Sequence, residues 1–219
     1  MNQEEGISNP VKKGSGLRLT RPLPRYLKEE EVARLFSRIK KLRDRAIFML
    51  MLRCGLRVEE VAHLRLQDLD LSQRRILVCQ GKGNKDRVVY ISPDAERILR
   101  DYLKCRSSSN GKQIFLVNKG TCKGKPISVR GIQKRMEYYA RKAKLEISCH
   151  HLRHTMATQL LNADADLVTI QDLLGHSRIK TTQTYAKISN VKVQRDYYKA
   201  MEVILKKAAN ENLGLLSMN

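Results

Sequence analysis

The apolar positions near the start of the chain repeat with the spacing of an α-helix. One repeat begins at residue 28 and a second covers residues 42–53, where Gly55 follows as a residue suited to ending a helix. A short helix is predicted from Arg57 to Leu64. The first repeat places these apolar residues on one face: Val32, Leu35, Phe36 and Ile39.

After residue 71 the pattern changes to runs rich in β-branched residues. Residues 75–78 and 87–91 flank a glycine-rich turn and predict a β-hairpin, and residues 114–117 are the candidate for a third strand. Helices are predicted again from Ser92 to about Cys105, from Ser128 to about Lys144, from His150 onward, in two short pieces broken at Gly175 and near Thr181, and over about residues 190–209. The sequence therefore predicts an α+β fold that is mostly helical, with a small antiparallel three-stranded β-sheet.

The charge of the chain indicates a polyanionic partner. It has 43 Lys and Arg against 22 Asp and Glu, a net charge of +21 among 219 residues. DNA, RNA and an acidic membrane surface all fit this excess. Only 3 Phe and no Trp are present, so stacking platforms for single strands are scarce and duplex DNA is the favoured partner.

Other features of composition bear on the compartment. The sequence has no run of about 20 apolar residues that could span a membrane, and its first residues lack the apolar core of a signal peptide. The 5 cysteines are odd in number and form no CxxC pair. We therefore expect a reducing compartment, the cytoplasm, with no disulfide framework.

Four segments carry the chemistry when they are taken together and in order. They are Gly55–Glu60, Gly81–Lys85, His150–His154, and Leu173–Ser177 followed by Thr181–Tyr185. In order and spacing they resemble the tyrosine recombinase family, which includes Xer-type recombinases, phage and transposon integrases, and fimbrial-switch invertases. The HxLR motif of the family matches His150 to Arg153, and its LGH motif matches residues 174–176, with a tyrosine nine residues after His176. The resemblance covers roughly residues 26–195.

This resemblance implies a site-specific recombinase that cuts and rejoins DNA through a 3′-phosphotyrosyl intermediate. Tyr185 would be the nucleophile, and Arg57, Arg153 and His176 would bind the scissile phosphate. Lys82 would be the general acid and His150 would accept the tyrosine proton, while Glu60 would support the site one turn after Arg57. The resemblance implies neither a metal nor another cofactor, because the arginines supply the positive charge and the covalent intermediate keeps the bond energy.

Some of these residues have competing interpretations. Lys85 competes with Lys82 for the role of the acid, and Tyr185 considered alone is typical of a half-buried core tyrosine. Cys149, His150, His151 and His154 lie close enough in sequence to suggest zinc, but no CxxC or further ligand cluster supports it.

Further expectations concern DNA contacts and assembly. Arg130, Gln133 and Lys134 open a basic helix that the family inserts into the major groove, with Arg130 as the best candidate for a base contact. The likeness implies a homo-oligomer, a tetramer, on the DNA. The predicted domains are a tail or linker over 1–25, the catalytic domain over 26–195, and a C-terminal helix and tail over 196–219 that docks either in cis or on a neighbouring protomer.

The chain departs from the family in one respect. Most members carry a core-binding domain of about a hundred residues before the catalytic domain. Here only about 25 residues precede the first predicted helix, as in a trimmed or naturally short protein, so we expect weaker DNA binding with the site intact. The rival functions are a type IB topoisomerase, which shares the phosphotyrosine chemistry, a DNA-binding protein that has lost catalysis, and a binder of acidic membranes.

Overall fold

Helices make up most of the described chain. The computed structural model describes residues 25–79, 86–106, 111–163, 165–175 and 190–216. Its helices are α1 (Glu29–Arg38), α2 (Leu42–Arg53), α3 (Val58–His63), α4 (Pro93–Cys105), α5 (Val129–Lys142), α6 (Cys149–Asn162), α7 (Leu167–Leu174) and α8 (Asn190–Leu216). Its strands are β1 (Leu69–Asp70), β2 (Arg75–Val78) and β3 (Arg87–Tyr90). The prediction of a mostly helical α+β fold is confirmed.

The three strands form an antiparallel sheet in the order β1-β2-β3. The predicted hairpin is confirmed, since Ile76 pairs with Val89 and Val78 with Arg87. The predicted third strand is wrong: the third strand is the two-residue β1, and residues 114–117 lie outside the sheet.

The buried run at residues 114–117 bonds to loops instead of to a strand. Ile114 N donates to Leu64 O at 2.8 Å, and Phe115 O accepts from Ile127 N at 3.0 Å. These bonds satisfy the backbone of a segment in which Ile114, Phe115 and Leu116 are buried and Val117 is half-buried. This short apolar run is therefore buried like a strand but does not form the hydrogen bonds that would join it to the sheet.

Local sequence signals account for the ends of the helices. Pro93 occupies the first turn of α4, and Ser128 Oγ accepts a hydrogen bond from Gly131 N at 3.0 Å at the start of α5. Gly55 follows α2 with φ +66°, and a Cβ there would lie 3.1 Å from both Leu174 and Met156. Glycine thus ends α2 and lets the end of α7 approach it closely. The short helix predicted near Thr181 lies outside the described residues.

Two clusters of apolar side chains form the core. The larger one surrounds α2, which is buried on nearly all sides from Ala46 to Leu52. The smaller one joins α6, α7 and α8 with Tyr90 of β3.

The described part of α8 packs on its own domain. Tyr197 is fully buried and donates a hydrogen bond to Arg53 O at 3.0 Å, and Ala200, Met201 and Ile204 complete its inner face. Docking of the C-terminal helix and tail in cis or on a neighbouring protomer stays a prediction. The predicted domain boundary at residue 195 falls inside α8 and stays a prediction. No helix in the described ranges is both long and apolar enough to cross a bilayer.

Candidate active site

Arg57 and Arg153 converge on the last carbonyl groups of α7. Arg57 Nη2 donates to Leu174 O at 3.2 Å and to Gly175 O at 3.1 Å. Arg153 donates through Nη1 to Gly55 O and through Nη2 to the same Leu174 O. The final carbonyls of a helix lack partners within the helix and carry its negative end, so they attract cations. The end of α7 thereby holds two guanidinium groups side by side.

Local sequence places both arginines at this point. Arg57 is the residue that precedes α3, so its backbone is extended and its side chain leaves the helix start. Arg153 lies within the second turn of α6 and is 5% exposed. Gly175 has φ +59° and ends α7 in the left-handed conformation, which turns the helix end toward the arginines.

Glu60 bridges Arg57 to a third arginine, Arg87. Glu60 Oε1 accepts from Arg57 Nη1 at 2.7 Å and from Arg87 Nη1 at 2.8 Å. Glu60 Oε2 accepts from the backbone N of Arg57 at 2.7 Å and from Arg87 Nη2 at 2.8 Å. The carboxylate therefore fixes both the backbone and the guanidinium of Arg57.

The site carries an excess of positive charge in a partly buried setting. Burial raises the pKa of Glu60, but the hydrogen bonds and charges of Arg87 and Arg57 outweigh burial and hold that pKa at about 2. Burial and the neighbouring charge of Arg57 lower the pKa of Arg153 to about 9, so the group is still a cation at neutral pH. Three guanidinium groups face one carboxylate, which leaves a net positive field that suits a bound anion.

A cavity of about 690 Å³ opens in front of the two arginines. Arg57, Arg153 and the exposed His150 line it from α3 and α6, and Arg130 and Gln133 line it from α5. The cavity thus brings three of the predicted catalytic residues together with two of the predicted DNA-contacting residues.

The residues predicted to contact DNA differ in their surroundings. Arg130 is exposed and makes an ion pair with Glu137 at 3.4 Å. Gln133 is half-buried, and Lys134 is exposed on the same helix without lining the cavity. Side chains this accessible can exchange a surface ion pair for a phosphate or a base edge at little cost.

The neighbouring histidines stabilise the start of α6. His151 Nδ1 accepts a hydrogen bond from Ser148 N at 2.9 Å, so His151 caps the helix that carries Arg153. Burial, with a contribution from nearby His150, lowers the pKa of His154, whose ring centroid lies 5.7 Å from that of His150. Within the described ranges, no three His, Cys, Asp or Glu side chains come together as a metal site.

Three predicted catalytic residues lie outside the described residues: Lys82, His176 and Tyr185. The described chain reaches close to each of the first two, because Arg87 begins β3 five residues after Lys82 and Gly175 immediately precedes His176. Arg57, Glu60, His150 and Arg153 do come together.

The sequence did not single out Arg87. It was predicted only as a strand residue of the hairpin, yet its side chain is 9% exposed and it bonds Glu60 and Leu173 O. The one available signal was an arginine at the start of a strand whose later residues are apolar, since buried arginine requires a partner.

We expect stability at low pH to depend on Glu60. Its pKa is depressed from 4.5 to about 2, so its contribution is full above pH 4.5 and is lost as the pH falls toward 2. A shift of this size corresponds to about 3 kcal/mol of unfolding free energy. We therefore expect the unfolding free energy, measured with urea, to fall more between pH 5 and pH 2.5 in the wild type than in Glu60→Gln. Glu59→Gln changes an exposed neighbour and is the matched control. Its unfolding free energy should differ between the two pH values as much as that of the wild type. Equal pH dependence in wild type and Glu60→Gln would contradict the ion-paired carboxylate.

Comparison with known proteins identifies relatives along most of the chain. A family model described as the phage integrase family matches residues 25–192. The chain is 38% identical over 187 residues to tyrosine recombinase XerA of Thermococcus kodakarensis, covering 84% of this chain and 66% of that protein. It is 36% identical over 208 residues to tyrosine recombinase XerC of Staphylococcus haemolyticus, covering 91% and 69%.

Solved structures give the same result for the fold. A crystal structure of XerA recombinase is similar with a TM-score of 0.66 and 31% identity, covering 81% of this chain and 65% of that one. The pre-cleavage complex of XerH recombinase with its difH substrate is similar with a TM-score of 0.61 and 25% identity, covering 81% and 55%. The chain spans about two thirds of the length of the curated relatives described above.

Proposed function

Because the chain belongs to the phage integrase family and contains a tyrosine recombinase catalytic domain, we propose that it cuts and rejoins duplex DNA at specific sites through a 3′-phosphotyrosyl intermediate. The observation that carries the proposal is the pair of arginines, Arg57 and Arg153, held side by side beside His150 at one cavity. Such a pair suits the oxygens of a phosphodiester, which gains negative charge as it is attacked.

The proposed attack begins at Tyr185. A tyrosine hydroxyl ordinarily has a pKa of about 10, so it needs a base to become a good nucleophile. His150 is proposed to accept its proton, and its exposure at the cavity supports that role. The phenolate oxygen then bonds to phosphorus as the bond to the 5′ oxygen breaks.

The remaining groups stabilise the charge that moves in this step. Arg57, Arg153 and His176 are proposed to bind the nonbridging oxygens, and Lys82 to protonate the departing 5′ oxygen. A 5′ hydroxyl from a second duplex then attacks the phosphotyrosine, which restores Tyr185 and exchanges the strands. The bond energy stays in the intermediate and the arginines supply the charge, so the proposed reaction uses neither ATP nor a metal.

DNA and further copies of the chain are the proposed partners. The net charge of +21 and the exposed Arg130 and Lys134 beside the cavity support contact with a duplex. The XerH structure contains its difH substrate, and we propose an analogous DNA partner for this chain. Exchange between two duplexes requires four strand cuts, so a tetramer on the DNA is proposed. The proposed place of action is the cytoplasm.

Covalent capture on DNA tests this proposal. A pool of nicked duplexes with a randomised central stretch is incubated with the protein, and complexes that survive detergent are recovered and sequenced. Cleavage beside a nick releases a short strand that diffuses away, so the covalent adduct accumulates. We expect detergent-stable adducts that enrich one sequence, which then serves as the defined cleavage substrate.

Three outcomes would contradict the proposal. DNA retention without any detergent-stable adduct would favour a binding protein. Adducts on all sequences, together with relaxation of supercoiled plasmid, would favour a type IB topoisomerase. An adduct lost on adding a chelator would contradict the metal-free chemistry.

A further inference from the structure

Arg87 forms a two-point ion pair with the carboxylate that holds Arg57. Both of its terminal nitrogens lie 2.8 Å from Glu60 oxygens, one to each oxygen. Its Nε donates to Leu173 O at 2.9 Å, so the guanidinium also bonds the end of α7. This planar fork matches a carboxylate in a way that lysine cannot.

Arg87 lies outside the cavity in front of Arg57, because its guanidinium is bound by Glu60 and by the end of α7. Its side chain is 9% exposed and does not line the cavity that Arg57 and Arg153 share. A Cβ on Gly175 would lie 3.0 Å from Arg87 Cδ, so the side chain passes directly across the glycine that ends α7. Arg87 is therefore enclosed between Glu60 and α7.

The charge balance shows what Arg87 does for Arg57. Glu60 paired with Arg57 alone would neutralise the cation that has to attract a phosphate. Arg87 shares the same carboxylate, so Glu60 can fix the position of Arg57 while the group keeps a net positive charge. Removal of Arg87 would leave Glu60 paired with Arg57 only and free to draw it away from α7.

We infer that Arg87 is a positioning residue for DNA cleavage, acting through Glu60 to hold Arg57 against α7 in its phosphate-binding position. The inference rests on the function proposed above. A misplacement of about 1 Å in a reacting site costs about 100-fold in rate, so we expect Arg87→Met to lower the cleavage rate by about that factor. Affinity for the captured DNA sequence should change little, because Arg87 does not face the cavity.

A second way for Arg87 to act would run through the hairpin. Arg87 pairs with Val78, the strand pair nearest in sequence to Lys82. Replacing the bridging 5′ oxygen of the scissile phosphate by sulfur separates the two routes. A thiol has a pKa of about 8.5, far below that of an alcohol, so sulfur leaves without an acid. Lys82→Met should recover on this substrate, whereas Arg87→Met should be slowed equally on both substrates.

A double-mutant cycle tests the link through Glu60. If Arg87 acts through this carboxylate, Glu60→Gln with Arg87→Met should cleave no more slowly than Glu60→Gln alone. Arg87→Lys keeps the charge without the fork and should recover part of the lost rate. It also serves as the test variant if Arg87→Met does not fold. Arg75→Met is the matched control, an exposed arginine of the same sheet that pairs with Asp70, and should cleave at the wild-type rate.

The inference is overturned by any of three results: wild-type cleavage by folded Arg87→Met, recovery of that variant on the sulfur substrate, or additive losses in the double mutant. Wild-type protein forms the adduct in all of these cases. A failure of the inference is thus distinct from a failure of the proposed function, in which the wild type forms no adduct.

Discussion

Replacing Arg153 by methionine should lower the rate of DNA cleavage by about 1000-fold. Removing one preorganised hydrogen-bond donor to a developing oxyanion lowers the rate by about 100- to 1000-fold. Arg153 would supply two N–H donors and a full positive charge, so its loss should lie at the upper end of this range. Arg153 is 5% exposed and its guanidinium is fixed by Gly55 O and Leu174 O, so it is oriented before DNA arrives. Single-turnover cleavage of the captured DNA sequence measures the rate, and a binding titration measures affinity separately.

The lysine variant provides the control for Arg153. Arg153→Lys keeps the charge but can reach only one of the two carbonyls at a time, so its rate should fall between those of wild type and Arg153→Met. Circular dichroism of each variant establishes that it is folded. If folded Arg153→Met cleaved DNA at a rate within about tenfold of the wild-type rate, this would contradict the proposal that Arg153 binds the scissile phosphate.

Replacing Asp44 by alanine should destabilise the protein by about 3–5 kcal/mol. Asp44 on α2 is fully buried, and its carboxylate accepts from Arg43, Arg135 and the Tyr139 hydroxyl at 2.7–3.0 Å. Arg43 in turn donates to Leu116 O at 3.1 Å, which ties in the segment that the sequence suggested as a strand. Without Asp44, the buried Arg43 and the half-buried Arg135 lose their counter-charge.

Urea unfolding of this variant measures the loss. The control is Asp101→Ala, which removes a half-exposed carboxylate from α4 and should change the unfolding free energy by less than about 0.5 kcal/mol. A loss under about 1 kcal/mol in Asp44→Ala would show that the buried ion pairs contribute little to stability.

Local signals in the sequence predicted most of the helices. Helix starts and ends depend on neighbouring residues such as Ser128, Pro93 and Gly55, so they can be inferred from short stretches of sequence. The hairpin was equally local, because the stretch of sequence between its two strands is short and rich in glycine. The third strand could not be predicted because β1 has two residues, too few for any alternation of polar and apolar positions.

The candidate site was predicted through its motifs rather than through its geometry. The family likeness supplied His150 and Arg153 through the HxLR motif, and it supplied Arg57 as well, with Glu60 one turn later. Arg87 could not be found in this way, because its partners lie 27 and 86 residues away along the chain. Only the folded arrangement of β3, α3 and α7 makes it a neighbour of Arg57.

The central claim is that this chain joins itself to DNA through Tyr185. Mass spectrometry of the protease-digested adduct tests it most directly, since it identifies both the peptide and the DNA end. We expect the peptide that contains Tyr185, linked to a 3′ phosphate, and no adduct from Tyr185→Phe. Attachment through another residue, such as one of the tyrosines at positions 138, 139, 197 and 198, or an adduct that persists in Tyr185→Phe, would contradict the account.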